Sequence, residues 1–128
     1  MAASSPLTAT TALVRTEIEG TTHHNKVLID AGELLRALAA PVRIAIVLQL
    51  RDGHKCVHEL VDALGVAQPL ISQHLRVLKA AGVVEGERNG REVLYHLVDE
   101  HLAHIVVDAV THVEEGGSAA RGEHREEA

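Results

Sequence analysis

Three histidines, His101, His104 and His112, stand in the stretch HLAHIVVDAVTH, with Asp99 just before it and Glu114 and Glu115 just after. Imidazole nitrogens and carboxylate oxygens are the donors that zinc, cobalt and nickel accept. Leu102, Ile105, Val106, Ala109, Val110 and Val113 recur through the same stretch at helical spacing, so the donors ride on an amphipathic helix from about Glu100 to Glu115. His101 and His112 are 11 positions apart. That separation is close to three full turns, which puts both on one face but roughly 16 Å apart along the axis. A single ion, with bonds of about 2 Å, cannot span that gap. Two antiparallel copies of the helix can close it: Asp99 and His101 of one chain meet His112 and Glu115 of the other, giving two nitrogen and two oxygen donors, twice per dimer. Two other readings of these residues stay open. His104, Asp108 and His112, spaced i, i+4, i+8, offer a weak site within one chain, and the polar groups can simply be a solvated helix edge.

The broad apolar surface of this helix is too large to lie bare on a small monomer. An isologous homodimer buries it against its own copy.

The elements that must carry such a helix follow from periodicity and punctuation. AGELLRALAA places Leu34, Leu35 and Leu38 on one face, and VRIAIVLQL begins a second helix after Pro41, a residue suited to a first turn. Gly53 breaks the pattern. CVHELVDALG then forms a short helix with Val57, Leu60, Val61 and Leu64 inward and Gly65 as its stop. QPLISQHLRVLKAAG starts another within a few residues, with Leu70, Ile71, Leu75 and Leu78 inward and Gly82 as the stop. Short helix, tight turn and second helix make a helix-turn-helix. Its second helix presents Gln68, Ser72, Gln73, His74, Arg76 and Lys79, side chains able to reach base edges or hold phosphates. VVEGERNGREVLYHL follows as two β-prone runs joined by Asn89-Gly90, the pair favoured in a type I′ hairpin. Arg88, Asn89 and Arg91 crown the tip of this wing. The fold class is therefore mainly α with a small β-hairpin (α+β): a winged helix-turn-helix in a helical homodimer. The chain divides into a flexible N-terminal arm (1–26), the winged domain with its dimerisation helix (27–115) and a disordered tail (116–128).

Composition narrows the function. A chain of 128 residues, 46% hydrophobic, holds one domain with a modest core. With no Phe, no Trp and a single tyrosine, Tyr95, that core is aliphatic, and the lack of aromatics argues against single-strand binding by base stacking. The net charge of −6 argues against indiscriminate coating of nucleic acid, yet no acid lies between Asp62 and Glu85, where Arg76 and Lys79 fall. Double-stranded operator DNA is the expected partner. The first twenty residues carry neither a signal peptide nor a membrane anchor, so a cytoplasmic protein without membrane partners is expected. A lone Cys56 fits a reducing compartment. A zinc hydrolase would need an open coordination position in a concave pocket, which so small a helical domain is not expected to supply; the chain is not read as an enzyme.

From Ala31 to Glu115 the chain resembles the ArsR/SmtB family of winged-helix metal-sensing repressors. The resemblance rests on LLRALAAPVRIAIVLQL, CVHELVDALGVAQPLISQHLRVLKAAGVV, ERNGREVLYHL and the run from Asp99 to Glu115. In that family Asp-x-His-x10-His-x2-Glu marks an inter-subunit zinc site, matched here at Asp99, His101, His112 and Glu115. The resemblance implies a zinc-responsive repressor whose apo dimer holds an inverted-repeat operator and whose allosteric effector, Zn2+, releases it. Sensing of cobalt, nickel or cadmium, or redox sensing through Cys56, are the alternatives. It also implies that His112 signals through a hydrogen bond toward backbone near Ala81-Gly82. A second family site maps to Cys56 and Glu59, with His23 and His24 as further ligands. The arm has no cysteine and Cys56-Val57-His58 replaces the Cys-x-Cys of arsenic-sensing relatives, so a three-thiolate site is not expected.

Overall fold

The computed structural model describes residues 22–117. Helix α1 spans Thr22–Leu38, α2 Pro41–Arg51, α3 Val57–Leu64 and α4 Gln68–Ala80; strands β1 (Val84–Asn89) and β2 (Glu92–Leu97) follow, and α5 spans Glu100–His112 before a π-helical turn, Val113–Gly117. The chain separates into two compact units, one ending at Arg36 and the other beginning at Ala37.

In the first unit α1 is already helical at Thr22, so residues 22–26, expected in the arm, belong to it. The rest of the expected arm and nearly all of the expected tail lie outside the described residues. Lys26 and Asp30 pair at 2.8 Å across one turn of this helix. The expected apolar face is only partly inward: Leu35 is 53% exposed.

In the second unit, Pro41 occupies the first turn of α2 behind an extended Ala40 at φ −151°, where a missing N–H costs nothing. Ile46, Val47 and Leu50 then bury one face of α2, which packs against α3, α4, β2 and α5. Around it gather Leu60 of α3, Ile71, Leu75 and Leu78 of α4, Val83 and Val84 at the start of the wing, and Leu102, Ala103 and Val106 of α5. Each large aliphatic side chain fully removed from water contributes about 1.5–3 kcal/mol. Gly65, at φ +67°, ends α3 in the left-handed conformation and lets α4 start within three residues.

The wing differs from expectation by one residue. Asn89 pairs with Glu92, so the two-residue loop is Gly90-Arg91 and not Asn89-Gly90. Gly90 takes φ +67° and no described non-glycine residue has positive φ. Positive φ at the first loop position alone is the pattern of a type II′ turn, where Gly leads, in place of the type I′ turn. Lys55 adds a one-residue third strand, exchanging backbone hydrogen bonds with Tyr95 at 2.8 and 3.1 Å.

Helix α5 also ends sooner than expected. Its α winding stops at His112, and Glu114 and Glu115 sit in the π-helical turn that runs into Gly116-Gly117. Among the described residues, no helix is long and apolar enough to cross a membrane.

Candidate metal and DNA-contacting sites

Asp99 is the N-cap of α5: its backbone is extended and its Oδ1 accepts the backbone N–H of His101 at 2.9 Å. That bond satisfies one of the orphan donors of the first turn. His101, His112 and Glu115 are exposed, as is Asp99. Within one chain the four do not converge, and no cluster of three or more His, Cys, Asp or Glu able to hold a metal exists among the described residues. The same holds for His104, Asp108 and His112. The His112 ring lies beside Gly116, where an added Cβ would stand 3.9 Å from Cε1. No hydrogen bond joins it to the backbone near Ala81-Gly82 among the described residues.

The apolar stripe of α5 is split. Leu102, Ala103 and Val106 are buried in their own protomer, whereas Ile105 and Val113 are 36% and 42% exposed and Ala109 is exposed.

Cys56 is buried and caps α3, and its backbone N–H donates to Glu59 Oε1 at 2.9 Å. That bond holds the Glu59 carboxyl below its ordinary range. The cap occupies Oε1 of Glu59, so a metal would share this carboxylate with the cap. His24 on α1 is exposed, and His23 lies next to it in the same helix.

On the helix-turn-helix, Gln68, Gln73, Arg76 and Lys79 are exposed and Ser72 is half-buried. His74 is not presented outward as expected. Its Nδ1 meets Arg43 Nη1 at 3.2 Å, and Arg43 Nε donates to the Ala37 carbonyl. Arginine has no acceptor, so Nδ1 accepts, and the ring is held against α2. Leu70 also departs from expectation: it is 49% exposed, because Ile71, one step of about 100° further on, takes the core position. Arg88, Asn89 and Arg91 are exposed around the wing tip.

Two features have no signature in the local sequence. His54 and His96 stack with ring centroids 4.7 Å apart, and His96 Nε2 meets Glu85 Oε1 at 3.2 Å across the strands. These rings line a cleft of about 460 Å³ with Arg51, Asp99, Glu100 and His104, which puts His104 in the same cleft as Asp99 of the expected ligand set. Tyr95 is the second feature. It lines a cavity of about 200 Å³ with Cys56, His58 and Arg91, and a groove of about 330 Å³ with Ser72, Leu75, Arg76 and Lys79. Only long-range pairing brings these residues together.

Residues 40–86, the α2–β1 segment that holds the helix-turn-helix, match the family described as bacterial regulatory protein, arsR family. The chain is 76% identical over 90 residues to the HTH-type transcriptional repressor SmtB of Mycobacterium tuberculosis, across 70% of this chain and 67% of that protein. This chain belongs to the ArsR family. It is also 44% identical over 85 residues to the HTH-type transcriptional regulator NmtR of the same organism, across 66% of this chain and 71% of that protein. The fold of this ArsR-family member superposes on the transcriptional repressor BigR from Xylella fastidiosa with a TM-score of 0.63 at 34% identity, covering 70% of this chain and 92% of that one. In ArsR terms, α3 and α4 are the helix-turn-helix and β1–β2 is the wing.

Proposed function

We propose that this chain is a zinc-responsive transcriptional repressor that binds an inverted-repeat operator as a metal-free homodimer and leaves it when zinc binds between the subunits. The observation that carries this reading is the layout of α5. Asp99 and His101 stand exposed at one end, and His112 and Glu115 stand exposed just beyond the other, with bare apolar residues between. A second α5 laid antiparallel covers Ile105, Ala109 and Val113 and brings Asp99 and His101 against the partner's His112 and Glu115. Two imidazoles and two carboxylates suit zinc, and suit cobalt and nickel as well. Two such ions, one at each end of the contact, tie the helices together.

Dimerisation sets the two α4 helices about one DNA turn apart, roughly 34 Å, for successive major grooves. Gln68, Gln73 and Arg76 face the bases or their flanking phosphates, and Arg88, Asn89 and Arg91 of the wing reach the backbone. Relatives named as transcriptional repressors, SmtB above all, support the regulatory role. Zinc and DNA affinity are reciprocally linked, so operator DNA weakens zinc binding by the factor by which zinc weakens operator binding. Burial of Cys56 disfavours the redox alternative, since reactive thiols are accessible.

The test is a gel shift on DNA upstream of the chain's own gene, titrated in parallel with zinc, cobalt, nickel and cadmium. A salt-dependent, sequence-selective complex that zinc dissolves at the lowest free concentration is the expected result. A complex indifferent to all four metals would overturn the sensing role, and no selective complex would overturn the repressor role.

A further inference from the structure

We propose that Tyr95 donates its hydroxyl to a backbone phosphate of duplex DNA, in a seat formed with Ser72, Arg76 and Lys79 between α4 and the wing. This inference rests on the DNA-binding reading above and names a contact within it that residue spacing does not show.

The groove of about 330 Å³ has Ser72, Arg76 and Lys79 along α4 on one side, Tyr95 of β2 on the other, and Leu75 at its floor. A guanidinium, an ammonium and two hydroxyls offer only what a phosphodiester needs, hydrogen-bond donors and positive charge. No carboxylate lines the groove. Its place also selects phosphate over base. A helix lying in the major groove has the sugar-phosphate backbone at its flanks, and this groove lies on the flank of α4 beside the wing.

Tyr95 is held rigidly for the task. Its backbone N–H donates to the Lys55 carbonyl at 2.8 Å and its carbonyl accepts from Lys55 at 3.1 Å. Its ring lies over Gly86, its partner across the strands, where a Cβ would stand 3.1 Å from Cε1. A bare glycine thus leaves room for the ring. Tyr95 is half-buried, and it is the sole tyrosine of a chain of 128 residues that has no Phe or Trp. An apolar ring braced by a strand, on a residue that lines a basic groove, lets a tyrosine span dry and wet environments.

A phosphate contact is independent of sequence, so a fluorescein-labelled mixed-sequence duplex serves as the probe beside the upstream DNA. Tyr95→Phe keeps the ring and removes the donor. Binding of both duplexes weakens by about five- to tenfold, the range for one lost hydrogen bond, with the salt slope unchanged. Lys79→Ala lowers that slope by about one. A scan of single uncharged methylphosphonates then finds one position at which the wild-type and Tyr95→Phe affinities coincide. Because Tyr95 is unique, 3-fluorotyrosine gives a single fluorine resonance, which shifts with unmodified duplex and not with the duplex substituted at that position. Wild-type affinity in Tyr95→Phe, while Arg76→Ala and Lys79→Ala bind weakly, would overturn the tyrosine contact and leave the DNA reading standing. A Tyr95→Phe defect that persists at every methylphosphonate position would also overturn it. Failure of the wild type to bind any duplex would instead bring down the DNA reading itself.

Discussion

The carboxylate of Asp99 accepts the backbone N–H of His101 at 2.9 Å, so the first residue of the proposed ligand set is also the cap of the helix that carries His101 and His112. One oxygen is committed to the fold, and the other is free for an ion. Binding and stability are therefore separable at this position. Asparagine caps about as well as aspartate, so Asp99→Asn should melt within a degree or two of wild type and bind zinc at least about 100-fold more weakly. Asp99→Ala should in addition lose about 1 kcal/mol of stability. Calorimetry with and without zinc checks both, and unchanged zinc affinity in Asp99→Asn would remove Asp99 from the site.

His101→Ala leaves the cap, the core and the helix-turn-helix untouched. The expected protein is a dimer that holds upstream DNA and keeps holding it in zinc. A gel shift in which zinc still dissolves that complex would defeat the inter-subunit site. Because imidazole must be neutral to bind zinc, wild-type zinc affinity should fall as the solution is acidified.

Arg43 ties the Ala37 carbonyl to His74 of α4, which makes it a positioning residue for the DNA-facing helix. Arg43→Ala should cost about 1–3 kcal/mol and weaken specific and non-specific duplexes alike, since the helix loses a fixed support. Lysine cannot reproduce the forked donors, so Arg43→Lys should rescue little. His74→Ala should lower the melting temperature without changing sequence preference, and an altered preference in a binding-site selection would return His74 to base reading.

Glu59 supplies the acid-sensitive element. Hydrogen bonding from Cys56 lowers its folded pKa from 4.5. A depressed carboxylate stabilises the fold above its unfolded pKa, and that contribution is lost as pH falls through the folded value. Glu59→Ala should therefore melt a few degrees below wild type at pH 7, with the gap narrowing under pH 4.5. A gap independent of pH from 7 to 3 would show that the charge plays no part.

Gly86 faces Val93 and Tyr95 at distances too short for a side chain: an added Cβ would stand 2.8 Å from Val93 Cγ1. Gly86→Ala should cost about 1–3 kcal/mol through overpacking. It should also move the Tyr95 ring, and with it the fluorotyrosine resonance of the free protein.

Local sequence settled where most elements begin and end. Pro41 and Pro69 fit only a first turn, Gly65 and Gly82 adopt the positive φ that stops a helix, and the repeat of Ile71, Leu75 and Leu78 turns α4 to the core. The pattern proposed to hold the metal, from Asp99 to Glu115, was read in the same way, since an 11-residue interval on a helix fixes both face and distance. Where neighbours compete within a residue or two, tertiary structure decided: Asn89 was drawn into the β1–β2 ladder so that Gly90-Arg91 became the turn, and Ile71 displaced Leu70 from the core. Tertiary structure alone set Arg43 against His74, His54 against His96 and Tyr95 across a groove from α4. Periodicity reports which way a side chain points along its own element, whereas these contacts join residues far apart in sequence and exist only once helices and wing have packed.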